Sequence, residues 1–161
     1  MDKKLKWKTI FICSLSYLLT SCIGGGTHGS IKAYQYLISK YTLDSTVQKV
    51  LASNPKIQVD TVKDYYNDEH TYVTMEIKQP DMTYSYTFRY GGDTAYWETS
   101  HNLSVLFICY AWDENANGGS EGHGEVNWFH WILRRRLIKP FENEFISRLD
   151  SVLKVKHTNP D

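Results

Sequence analysis

Residues 82–90 read MTYSYTFRY. Met82, Tyr84, Tyr86, Phe88 and Tyr90 fall on one side, and Thr83, Ser85, Thr87 and Arg89 on the other. A strict period of two is a strand with one face in a core and one toward water. Nine residues of it commit the chain to a sheet, and five large side chains on one face require a second layer to cover them. Just upstream, Val73, Met75 and Ile77 alternate with Tyr72, Thr74 and Glu76, and Gln79-Pro80-Asp81 lies between the two runs as a turn. The pair therefore reads as antiparallel neighbours. The period is already two from Ile57, Gly91-Gly92 turns the chain again, and Tyr96–Thr99 reads as a further short strand. Leu103–Trp112 is an apolar run with no polar face, which predicts a central strand covered on both sides.

The covering layer is helical. Tyr34, Leu37, Ile38 and Tyr41 recur at i, i+3, i+4, i+7, which predicts a helix with Ser30 as its cap. Leu43, Val47, Val50 and Leu51 form a second stripe that points nearly opposite to the first. Two helices with a break near Thr42 satisfy both stripes, and Asn54-Pro55 ends the second. Helical spacing returns with Val126, Phe129, Leu133, Leu137, Phe141, Phe145, Leu149 and Val152, with Pro140 inside the stretch to kink the helix or start a new one. The expected class is α+β: N-terminal helices, an antiparallel meander of four to five strands, and a long Pro-kinked C-terminal helical segment packed on one face. No internal repeat is present.

The first 22 residues have a different character. Lys3, Lys4, Lys6 and Lys8 precede an uncharged run, TIFICSLSYLL at residues 9–19. Eleven residues are too few to span a bilayer, which takes about 20; the layout is that of a secretory signal. Leu19-Thr20-Ser21-Cys22 resembles the lipobox of bacterial lipoproteins. That resemblance implies a diacylglycerol on the Cys22 thiol and removal of residues 1–21. It also implies a cell-envelope location, and Ile23 rather than aspartate after the cysteine favours the outer membrane in a Gram-negative cell. Residues 22–30 (CIGGGTHGS) form the lipidated cysteine and a glycine-rich tether, and 31–161 a single globular domain.

Without residues 1–21, 140 residues remain, with 14 basic against 17 acidic side chains and a formal charge of −3. That supports one domain with a real core and excludes a nucleic-acid binder of the basic type. With Cys13 removed and Cys22 lipidated, Cys109 has no cysteine partner, and its apolar neighbours make it a small buried hydrophobe.

Several stretches carry candidate chemistry. Asp113-x-Asn115-x-Asn117-Gly118 matches the first half of a calcium loop. Its second half departs, because Gly124 stands where a bidentate glutamate closes the cage and Glu125 comes one place late. Weak binding at best is expected from Asp113, Asn115 and Asn117, and the loop 113–125 reads as a solvated connection; no metal or other cofactor is expected. His123, Glu125 and His130 lack the spacing of a zinc helix, and His130 falls on the apolar stripe of a helix begun at Glu125. No Gly-x-Ser-x-Gly, Ser-x-x-Lys or phosphate loop occurs. Tyr84, Tyr86 and Tyr90, with Tyr96 and Trp97, either form core or line a ligand or partner face. Trp128 and Trp131 with Arg134, Arg135 and Arg136 form a basic, aromatic stretch. It is either a core helix with solvated arginines or a surface for a membrane or an acidic protein, although its charges are bunched in sequence rather than confined to one face.

These features together favour a non-catalytic lipoprotein, anchored to the membrane through Cys22, whose domain binds another envelope protein as an assembly factor, inhibitor or immunity protein does. A small-ligand carrier or sensor with an aromatic pocket is the second reading. An envelope hydrolase, centred on His101, His123 or Glu125, is the third.

Overall fold

The computed structural model describes residues 30–63, 71–99, 102–120, 123, 124, 126 and 130–160. The fold is α+β: an antiparallel sheet with helices packed on one of its faces. Strand β1 (Lys32–Tyr36) leads into helix α1 (Lys40–Ser53). Strands β2 (Ile57–Lys63), β3 (Tyr72–Gln79) and β4 (Met82–Tyr90) follow, then helix α2 (Thr94–Thr99). Next come β5 (Ser104–Asp113), β6 (Gly118–Ser120) and β7 (His123–Gly124). Helix α3 (Trp131–Phe141), a π-helical segment (Glu142–Ile146) and helix α4 (Ser147–Leu153) run on continuously.

Strands β2 to β7 form a meander in chain order. Strand β5 shares one edge between two partners: Ser104–Ile108 pair with β1, and Ala111 and Trp112 pair with β6. The β4–β5 register slips between Thr87 and Phe88, so that Cys109 is the extra residue of a bulge and lies buried. Tyr84, Tyr86, Phe88 and Tyr90 all lie on the buried face, as their alternation predicts. Phe141 and Phe145 pack at 5.0 Å between ring centres and reach Phe88 and Tyr86 across the layer. Leu43, Val47, Val50 and Leu51 of α1 complete the core.

Four expectations need correction. The N-terminal segment is a strand followed by one helix, not two helices. Tyr34 and Tyr36 point inward at period two, while Leu37 and Tyr41, assigned to a buried stripe, are 71% and 67% exposed. The helix begins after Ser39, whose hydroxyl accepts from the Thr42 N–H at 3.2 Å. Residues 96–99 are helical, because the Asp93 carboxylate accepts from the Tyr96 N–H at 2.7 Å and starts a turn. The run 103–112 is not covered on both sides: Leu106, Ile108 and Ala111 are buried, but Val105, Phe107 and Tyr110 are only half-buried and Trp112 is 39% exposed. Finally, the glycine-rich loop is partly strand. Gly118 pairs with Trp112, and a Cβ there would sit 2.1 Å from the Ala111 carbonyl oxygen, so only glycine fits.

The C-terminal helical segment contains Pro140, as expected, but does not break there. It continues through the π segment, where the Ser147 N–H bonds to the Glu142 carbonyl. The reason lies in the spacing of the core residues. Leu137, Phe141, Phe145 and Leu149 are each four apart and all fully buried. In an α-helix each four-residue step oversteps a full turn by about 40°, so three steps would carry Leu149 about 120° off the core. The wider π turn takes up the excess and holds all four residues on one face.

Candidate functional site

The tyrosine stripe is mortar rather than a cleft. Tyr86 donates its hydroxyl to the Leu137 carbonyl at 2.7 Å, and Tyr90 donates to Asp44 at 2.8 Å. Tyr34 donates to Glu142 and Tyr36 to Asp150. Burial, reinforced by the carboxylates beside Tyr34, Tyr36 and Tyr90, pushes these phenols far above their ordinary range, and burial does the same to Tyr86. They remain donors at any physiological pH, each tying a helix to the sheet. Tyr84, Tyr86 and Tyr90 therefore belong to the core and not to a ligand face, which corrects one of the two readings given to them.

The remaining aromatics of that group do reach the surface, at the Tyr90 end of β4. Lys40 Nζ lies 4.1 Å from the Trp97 ring centre, 5.1 Å from that of Tyr90 and 5.9 Å from that of Tyr41. Trp97 is fixed by its indole N–H, which donates to the Gly91 carbonyl at 2.7 Å. Gly92 allows the approach: its φ is +80°, and a Cβ would lie 2.3 Å from Tyr96. A half-buried ammonium is thus framed by three rings, with Tyr41 and Tyr96 exposed at the edge.

The other end of the sheet carries the basic stretch. The expectation of a core helix is right for its inner side, where Leu137, Pro140 and Phe141 are buried. The three consecutive arginines have three different fates. Arg134 donates to the Ile31 carbonyl. Arg136 donates to Asp113 Oδ2 at 2.7 Å. Arg135 points outward and is exposed. Trp131 and Ile132 are 61% and 67% exposed. Beside them a cleft of about 490 Å³ is lined by Lys32, Trp131, Arg134, Arg135, Lys139 and Glu142, among others. Lys32 pairs with Glu142 within it. Trp128, Glu125 and His101 lie outside the described residues, as does Cys22. His130 is exposed ahead of α3 rather than on its apolar side, because the helix begins at Trp131.

Asp113 is not arranged as a calcium ligand. Its Oδ1 accepts from the backbone N–H groups of Asn115 and Asn117, and the Asn117 side-chain amide spans both oxygens at 3.0 Å. Arg136 completes the set. Burial raises this carboxyl, but the Asn117 side chain, the two backbone N–H groups and the Arg136 guanidinium outweigh it and hold the group below the ordinary carboxylate range. Asn115 and Asn117, read as oxygen ligands, are instead donors to Asp113 that close a hairpin, and no cluster of three His, Cys, Asp or Glu residues suited to a metal occurs among the described residues.

Sequence reasoning missed one constellation. Asp150 accepts from Tyr36 at 3.0 Å and faces His157 Nδ1 at 2.9 Å, while Thr158 and Gln35 exchange backbone hydrogen bonds at 2.8 Å. It clasps the C-terminal tail to β1. No local signal could have paired Tyr36 with Asp150, 114 positions apart, or Gln35 with Thr158, further still.

No family model, curated protein or solved structure matches the chain.

Proposed function

We propose that the protein is a cell-envelope lipoprotein, anchored through Cys22, whose domain acts by binding another envelope protein rather than by turning over a substrate. The observation that carries this reading is the Lys40 surface. Tyr41, Tyr96 and Trp97 present amphipathic rings held in place by a helix cap, an indole hydrogen bond and a cation. Rings fixed in advance lose little freedom on association, and tyrosine and tryptophan dominate the energetics of protein interfaces. The burial of Tyr84, Tyr86 and Tyr90 favours this reading over a carrier with a tyrosine-lined pocket.

Two measurements test it. A fatty-acid probe fed to cells should label the wild type and not Cys22→Ser; equal labelling of both would remove the anchor. Affinity capture of the lipidated protein from its own envelope should then recover a protein that is lost with the pair Tyr41→Ala and Tyr96→Ala but kept with Arg135→Gln. Recovery of a bound small molecule with no such protein would favour the carrier, and recovery insensitive to the tyrosine pair would move the interface elsewhere.

A further inference from the structure

We propose that the outward crest of α3 is a second membrane contact, one that lays Trp131 and Ile132 into the headgroup region of an anionic leaflet while Arg135 and Lys139 meet lipid phosphates. The proposal rests on the Cys22 anchor for its geometry. Eight residues separate Cys22 from Ile31, so the start of the domain stays within about 28 Å of the bilayer. That start is next to the cleft. Ile31 is fully buried, its carbonyl accepts from Arg134, and Lys32 lines the cleft itself. Ile31 itself bonds to Ile108, midway along β5, so the tether keeps the cleft within reach of the membrane, and the charge of the cleft selects the face that meets it. The Lys40 surface lies at the opposite end of β5. Ser104 bonds to the Ile38 carbonyl at 2.7 Å, and Asp113 holds Arg136. Ten residues of strand put about 30 Å between those ends.

The face has the composition that such a contact needs. At about 100° per residue, Arg135 and Lys139 stand opposite the buried Leu137, with Trp131 on one flank and Ile132 on the other. The charges bunched in sequence are thus sorted in space. Arg134 and Arg136 turn aside to Ile31 and Asp113, leaving Arg135 and Lys139 on the crest without a carboxylate partner among the described residues. Four cations line the cleft against one carboxylate, in a chain whose remainder after residue 21 is net acidic. An anionic surface attracts this face and repels the rest, which orients the domain as well as holding it. Exposed tryptophan is a side chain suited to the interface between headgroups and acyl chains.

The test uses the full lipidated chain on vesicles of brominated-chain phosphatidylcholine, with or without about 30 mol % phosphatidylglycerol. Retention on the zwitterionic vesicles reads the anchor. Quenching of tryptophan emission by the bromines reads the docking. Quenching is expected only with phosphatidylglycerol, falling in high salt and falling with Trp131→Phe. The pair Arg135→Gln and Lys139→Gln should abolish it without changing the melting temperature. With Cys22→Ser, the same pair should weaken binding to phosphatidylglycerol vesicles by about 30-fold. Retention on both vesicles with equal quenching, or with none, overturns the docking and leaves the anchor intact. Loss of retention on zwitterionic vesicles, with charge-dependent quenching preserved on anionic ones, overturns the anchor and leaves the docking. Insensitivity of anionic-vesicle binding to the glutamine pair sinks the proposal, whichever way the anchor is decided.

Discussion

The two ends of the sheet both combine cations with aromatic rings, but in opposite ways. At the Tyr90 end the cation is answered from within: Lys40 faces three rings, and the carboxylate nearby, Asp44, is engaged by Tyr90. At the Asp113 end the pieces are separated. Trp131 stands clear of the core, and Arg135 and Lys139 project without a partner among the described residues. A cation already satisfied contributes to folding and shapes a fixed surface. A cation left over contributes almost nothing to folding, because exposed ion pairs and exposed charges are worth little. The contrast separates groups that hold the domain together from groups available to something outside it, and substitutions at the two ends should divide in the same way.

The largest effect is expected where the two behaviours meet, at Asp113. Asp113→Ala removes a fully buried carboxylate that organises the hairpin and neutralises Arg136. It leaves the Asn115 and Asn117 N–H groups to find water, and about 2–3 kcal/mol of unfolding free energy should be lost in a urea titration. Arg136→Gln should cost less, because that guanidinium is half-exposed and the other donors remain. The pH dependence has a definite sign. The folded Asp113 carboxyl titrates below its unfolded value, so its contribution is complete above the ordinary carboxylate range, at about pH 4 and higher, and is lost as pH falls through the folded value. Glu144 behaves the same way, held down by the Lys56 hydrogen bond first and by Gln79. Acid melts should therefore be shallower in Arg136→Gln and in Lys56→Gln than in the wild type. Parallel curves would mean that neither pair matters.

A smaller effect is expected at the Lys40 cage. Trp97→Ala loses a half-buried ring and its bond to Gly91, at about 2 kcal/mol. Lys40→Met keeps the packing of the stem and removes the charge, at about 0.5–1 kcal/mol. The two losses should not add, since each removes the same ring–cation contact. A double-mutant cycle is expected to return a coupling of roughly 0.5–1 kcal/mol. Strict additivity would reduce the cage to coincidence.

What could be read from the sequence divides along the same line, between local and distant causes. β3 and β4 were legible because a sheet with one buried face writes its period into each strand separately. The core side of the C-terminal segment was legible for the same reason, and its unbroken run of four-residue spacings through Pro140 was a usable sign of the π turn. β1 was misread because Tyr34 fits a period of two and a period of 3.6 equally well. The choice is made by pairing with Ser104–Ile108, about seventy residues away, which no local window contains. The apolar spacing points to Ser30 and to a break near Thr42, whereas the caps that form are Ser39 and Asp93. At the sites, the identities Trp131, Arg134, Arg135 and Arg136 were visible, but not the separation of three adjacent arginines among a backbone carbonyl, open solvent and a buried aspartate. That separation depends on where Ile31 and Asp113 end up. The partial calcium-loop pattern at Asp113, Asn115 and Asn117, from which weak binding at best is expected, is limited in a related way. The pattern fixes residue types, whereas the hairpin decides whether N–H groups or oxygens face the carboxylate.

The smallest expected effect is the sharpest test of the comparison. Trp131→Ala deletes one of the largest side chains in the protein, yet it should leave the unfolding free energy within about 0.5 kcal/mol of the wild type. The ring is 61% exposed and lies on the side of α3 turned from Leu137 and Phe141, so little of its area leaves water on folding and no core cavity opens when it is removed. Trp97→Ala, at the other end, removes the same side chain at a cost several times larger. Urea titrations of the two variants in one buffer decide the matter, with alanine chosen for both so that the comparison is like for like. A Trp131 loss as large as the Trp97 loss would mean that the α3 crest is part of the folded core. It would then have no free face to offer a membrane or any other partner.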